Sequence, residues 1–132
     1  MTIVDTNVLL DVLTDDPQHY AWSLARLEEA RLSGPLVIND VIYAELAVPY
    51  AQIEEVDWVV QRFGAVHRAV PREALFLAAK AFQLYRKAGG IRTGVLPDFF
   101  IGAHAAVAGV KLLTRDRRRY ETYFPTVSLI TP

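Results

Sequence analysis

The sequence predicts an α/β domain of three layers, a central and mostly parallel sheet sandwiched between helices. Three observations carry that expectation. Short apolar runs rich in β-branched residues, Ile3-Val4, Leu36-Val37-Ile38 and Val110 to Thr114, alternate with stretches whose apolar residues recur every three or four positions. Strand–helix–strand alternation of this kind joins parallel strands through crossover helices. Carboxylates also stand where these runs end, and open α/β sheets gather ligands at the carboxyl ends of their strands.

The chain has 132 residues, enough for a single domain over 1–132 with a sizeable core and too few for two. Apolar residues make up 52% of it, which excludes a disordered chain. No apolar run is long enough to span a bilayer, and the N-terminus lacks the basic region and cleavage site of a signal peptide. There is no cysteine, which rules out disulfides, thiolate chemistry and sulfur-bound zinc. A cytoplasmic protein without a membrane partner is expected. The net charge of −1 says little, but its distribution says more: residues 1–65 carry 3 Lys and Arg against 11 Asp and Glu, and residues 66–132 carry 11 against 4. One half supplies carboxylates for a cation and the other a surface for an anion, unless the two simply mix on folding.

In order, Ile3-Val4 reads as a buried strand that delivers Asp5, with Thr6 or Asn7 capping the helix that follows. Taken alone, Asp5 is itself no more than a capping residue. Asp15-Asp16-Pro17 stops that helix and starts a second, running to about Ser33, with Tyr20, Leu24 and Leu27 at helical spacing. Ser33-Gly34-Pro35 ends it and leads into the strand Leu36–Ile38. A third helix runs from Val41 to about Val48, with Glu45 among small and apolar neighbours; Asp40 competes for the same role, although its position suits a helix cap. Residues 53–63 form an amphipathic helix, 66–70 is ambiguous, a short edge strand being the reading it allows, and Pro71-Arg72-Glu73 starts a long helix that runs out at Gly89. His67 has no ligand partner at helical spacing and reads as structural. The loop Gly89 to Leu96 lacks the Lys-Ser/Thr ending of a phosphate-binding loop and reads as a mobile connection.

Asp98 opens a helix of small and apolar residues, Phe99 to Ala106, fit for close packing against a sheet. After Gly109 a strand, Val110 to Thr114, ends in Arg115-Asp116; a last helix begins at Arg117 and a last strand covers Val127 to Ile130. His104 lies six residues past Asp98, well round the helix from it, and reads as packed.

Asp5-Thr6-Asn7-Val8-Leu9, Glu45 after a strand and turn, Asp98 with Ile101-Gly102-Ala103-His104-Ala105, and Leu112-Leu113-Thr114-Arg115-Asp116 together resemble a PIN domain. Their order, spacing and overall length are similar to the small VapC ribonuclease toxins of prokaryotic toxin–antitoxin pairs. The chain departs from that pattern at Asp40, where a small hydroxyl residue is usual nearby, and at Arg115, a cation beside Asp116. The resemblance implies a PIN-like α/β/α sandwich and metal-dependent hydrolysis of RNA phosphodiesters, leaving 5′-phosphate and 3′-hydroxyl ends. It implies Asp5, Glu45 and Asp98 as core ligands with Asp116 as the fourth, a homodimer, and a VapB-like antitoxin covering the crevice.

The chemistry is consistent with those residue types. Converging carboxylates repel unless a cation, protonation or water relieves them. Hard oxygen donors without cysteine or paired histidines select Mg²⁺ or Mn²⁺. Thr6 and Thr114 are placed to orient a carboxylate or a bound water. Arg92, Arg115, Arg117 and Arg118, with Arg119, Arg86 and Lys87, are candidates for phosphate contacts, and a cluster of cations at a helix start is a poor match to the helix dipole. Three rivals remain. A non-catalytic PIN-fold module would bind RNA or protein without cutting. A receiver domain needs a pair of acids after its first strand, where only Asp5 stands. A haloacid-type phosphatase needs Asp-x-Asp, and this chain has Asp5-Thr6-Asn7.

Overall fold

The computed structural model describes residues 1–92 and 94–132. Of the predicted loop 89–96, Thr93 lies outside the described residues. Five strands, β1 (Thr2–Val4), β2 (Leu36–Asn39), β3 (Ala65–Arg68), β4 (Lys111–Leu113) and β5 (Leu129–Ile130), form one sheet in the order β3-β2-β1-β4-β5. Every pairing is parallel, so the sheet is wholly rather than mostly parallel. The helices are α1 (Thr6–Leu13), α2 (Tyr20–Ser33), α3 (Asp40–Ala47), α4 (Ile53–Phe63), α5 (Arg72–Lys87), α6 (Leu96–Ala108) and α7 (Arg118–Tyr123).

The chain walks outward from β1 through β2 to β3, then crosses back to β4 on the other side of β1. Parallel crossovers are right-handed, so this reversal sends the early and late helices to opposite faces of the sheet. The packing agrees: α1 lies against α2, and α5 lies along α6. A cluster of rings, Phe82, Tyr85, Phe99, Tyr123 and Phe124, joins α5, α6 and α7, with centroids 5.3–6.0 Å apart. Central strands covered on both faces need continuous apolar runs, and Ile3, Val4, Val37, Ile38, Leu112 and Leu113 are all fully buried. Gly102 admits a close approach, but to a ring rather than to the sheet: a Cβ there would lie 2.4 Å from Cδ2 of Phe124.

Helix starts differ from expectation in three places. Asp5, not Thr6 or Asn7, is the N-cap of α1, and its carboxylate makes no capping bond. Asn39 caps α3, its side chain accepting from the Ile42 N–H at 3.0 Å, while Asp40 is already helical. Asp16 does accept from two backbone N–H groups, of Gln18 and His19, but α2 begins only at Tyr20, so Pro17 lies outside it. No helix among the described residues is long and apolar enough to cross a membrane.

Candidate active site

β1 is the middle strand, and Asp5 leaves it between its two neighbours. Its N–H donates to the carbonyl of Leu113 at 2.9 Å, which fixes its backbone against the end of β4. The residue is 4% exposed. Three side chains donate to its Oδ2: the Thr114 hydroxyl at 2.7 Å, the Tyr120 hydroxyl at 3.1 Å and the Asn7 amide at 3.3 Å. Oδ1 receives no side-chain donor among the described residues. Burial raises the Asp5 pKa, and the Thr114 and Tyr120 hydroxyls oppose that rise.

Glu45 projects from α3 and is half-buried; its Oε1 accepts from the Thr6 hydroxyl at 2.7 Å. Its pKa is raised by burial and by the charge of Asp5, against the Thr6 bond. Asp98 sits in the first turn of α6. Burial, then the negative charges of Asp5, Asp116 and Glu45, raise it from the ordinary 3.8 to about 7, with Arg119 pulling the other way. Four carboxylates from four segments of chain thus act on one another. Asp5, Thr6, Asn7, Glu45 and Asp98, with Leu10, Val48 and Pro49, line an open cleft of about 470 Å³. Asp116 lies beside this lining rather than in it, its own N–H donating to Thr114 Oγ1 at 3.0 Å.

Each carboxylate is turned toward a protein donor: Asp5 to Thr114 and Tyr120, Glu45 to Thr6, Asp98 and Asp116 to the Arg119 guanidinium, which reaches Asp116 at 3.2 Å. As they stand, no three His, Asp or Glu side chains among the described residues share one ion-sized position. The donor set nevertheless suits a hard divalent cation, since every available atom is a carboxylate, hydroxyl or amide oxygen.

The basic residues divide. Arg115 does not face the acids: its guanidinium makes a bidentate pair with buried Asp11, at 2.6 and 3.0 Å, which also accepts from Ser23 at 2.6 Å. As a phosphate candidate it is therefore withdrawn, and the cation beside Asp116 is Arg119. Arg117 is exposed and paired with Glu121 at 2.6 Å; Arg118 is exposed and makes no ion pair among the described residues. Arg92 is exposed, its N–H donating to the Tyr85 hydroxyl at 3.2 Å. Asp40 is drawn off to the N–H of Val70 and to His67, 2.6 Å away, which together lower its pKa and remove it from competition with Glu45. His67 stacks on Tyr43, and His104 is buried 3.3 Å from the Asn39 amide; neither faces the cleft.

Sequence reasoning missed Tyr120, Asn7 and Asp11. Asn7 holds the site together by touching Asp5 and accepting from the Arg115 N–H at 3.2 Å. Its place two residues after Asp5 was the available hint. Tyr120 is fully buried, with its hydroxyl pushed well above its usual pKa by burial and the nearby acids, so it remains a donor.

A parallel α/β sheet with acidic side chains gathered at its carboxyl edge is an architecture suited to hydrolysis assisted by bound cations. The family model of the PIN domain matches residues 2–125, and the chain belongs to that family. No curated protein is significantly similar to it in sequence. Its fold is similar to VapBC2 from Rickettsia felis bound to a promoter DNA fragment, with a TM-score of 0.71 at 17% identity, covering 99% of this chain and 98% of that one. It is also similar to DNA-bound VapBC from Salmonella typhimurium, TM-score 0.72 at 18% identity, covering 98% and 96%. FitAcB from Neisseria gonorrhoeae has a TM-score of 0.65 at 18% identity, covering 98% and 96%.

Proposed function

We propose that this PIN domain is a divalent-metal-dependent endoribonuclease and the toxin of a toxin–antitoxin pair. The observation that carries the reading is the gathering of Asp5, Glu45, Asp98 and Asp116 about one cleft, where burial and then the charges of the other three raise Asp98 to about 7 even with Arg119 alongside. An arrangement of mutually repelling acids is costly to maintain unless it serves to bind positive charge. Asp5 through Oδ1, Glu45, Asp98 and Asp116 would hold Mg²⁺ or Mn²⁺. Bound there, the ion supplies charge stabilisation for a scissile phosphate and acidifies water.

The chain's own residues prepare that chemistry. Thr114, Tyr120 and Asn7 hold Asp5 through Oδ2, which leaves Oδ1 without a side-chain donor among the described residues. Thr6 fixes Glu45 across the cleft. Arg118, Arg117 and Arg92 are exposed cations available to RNA phosphates, where each would contribute salt-dependent affinity. The toxin role is supported by fold similarity to VapBC complexes and to a toxin–antitoxin complex from Klebsiella pneumoniae. It carries with it a VapB-like antitoxin, a homodimer and a cytoplasmic site of action.

Purified protein, incubated with mixed cellular RNA and Mg²⁺ or Mn²⁺, tests this directly beside Asp98→Asn. Discrete cleavage by the wild type, lost in the variant and on chelation, is expected. No cleavage together with no metal binding would leave a non-catalytic binding module.

A further inference from the structure

Arg119 is the sole ionic partner of both Asp98 and Asp116 among the described residues. Two neighbouring arginines are engaged elsewhere, Arg115 on Asp11 and Arg117 on Glu121, and Arg118 is turned to solvent. The Arg119 side chain is 19% exposed, against 27% for Asp98 and 39% for Asp116. The guanidinium therefore occupies the same region that a cation shared by these two carboxylates would take. Its backbone is anchored, because the next residue, Tyr120, is buried and bonded to Asp5. Its side chain reaches back from that anchor to the two carboxylates and is partly open to solvent.

We propose that Arg119 is a built-in counter-ion of the acidic crevice, which a divalent cation must displace from Asp98 and Asp116, and which thereby sets the affinity for that cation. The proposal rests on the metal-dependent reading above. A guanidinium satisfies a carboxylate by directional hydrogen bonds as well as charge, so it holds the apo crevice together where bare acids would repel. The same contact then opposes loading, since a divalent ion must break two ion pairs and tolerate a displaced positive charge nearby. Affinity is given up in exchange for an apo site that keeps its shape.

The test is Mn²⁺ titration by calorimetry, without RNA, on wild type, Arg119→Met, Arg119→Gln and Arg119→Lys. Thermal melts in chelator are run in parallel. Loss of the charge is expected to tighten Mn²⁺ binding about tenfold, equivalent to about 1.4 kcal/mol, and to lower the chelated melting temperature. Arg119→Lys should stay near wild type on both counts. If Arg119→Met does not fold, Arg119→Gln gives the same reading. Unchanged or weaker Mn²⁺ binding in the uncharged variants overturns the proposal. Absence of Mn²⁺ binding in every protein overturns it together with the metal reading. Tighter binding in this titration, together with no cleavage in the RNA assay described above, upholds it and removes only the nuclease.

Discussion

In metal-free protein, Asp98 should make stability fall as the pH rises, the reverse of ordinary carboxylate behaviour. Its folded pKa of about 7 stands above the unfolded value of 3.8, so the folded chain keeps a proton that the unfolded chain releases between them. Stability from this source is complete below about pH 4 and is lost as the pH climbs through about 7. A tenfold difference in proton affinity between the two states corresponds to about 1.4 kcal/mol, which bounds the loss at about 4 kcal/mol. The Asp98 side chain is 27% exposed and water reaches the cleft, so about 2 kcal/mol is the expected size. Urea unfolding in chelator at half-unit steps from pH 4 to 8 measures it. Asp98→Asn cannot ionise there and should make the profile shallower while raising stability at pH 8, the falls due to Asp5 and Glu45 remaining. An equal slope in both proteins, or a wild type that gains stability over this range, would refute the electrostatic account of the crevice.

Other substitutions probe the supports of the site. Thr114→Val removes the Asp5 donor and the acceptor of the Asp116 N–H at a fully buried position. It should cost about 1–3 kcal/mol in denaturant melts, with Thr114→Ser largely restoring it. Asp11→Ala strips Arg115 and Ser23 of their acceptor and should cost about 3 kcal/mol, the low end for a broken buried pair because Arg115 is 31% exposed. Gly102→Ala drives a methyl group into the Phe124 ring and should lower the unfolding midpoint by the equivalent of about 1–3 kcal/mol. An unchanged midpoint would mean that the ring moves aside freely.

The sheet was legible because its strands are buried on both faces and so appear as compact apolar runs, each followed by a polar turn. Ile3-Val4 and Leu36–Ile38 stand out for that reason, whereas β3 was ambiguous because it is an edge strand with most of its residues exposed. Asp5 and Asp116 could be picked out because each follows such a run, whereas Glu45 and Asp98 stand in helices and were marked by their small and apolar neighbours. Their supports could not be picked out. Arg115 adjoins Asp116 in sequence, yet the turn after β4 sends its side chain to Asp11, while Arg119, three residues on from Asp116, returns to it. Adjacency along the chain says nothing about direction once the backbone leaves a regular element. Tyr120 was hidden for another reason: it stands in a short helix of mostly charged or polar residues with no apolar spacing to mark it, and its hydroxyl's destination, 115 residues away, is purely tertiary.

That distance has a consequence for when the crevice comes into being. Asp5 leaves the ribosome 109 residues ahead of Thr114 and 115 ahead of Tyr120, and β4, the strand beside it, is made only just before them. Contacts so far apart in sequence form late and slowly. A growing chain therefore carries its acids apart while all the intervening helices and strands are made, and the crevice closes only once α7 has emerged. Under the proposed activity, the messenger and ribosome producing the domain are spared until its last support is in place.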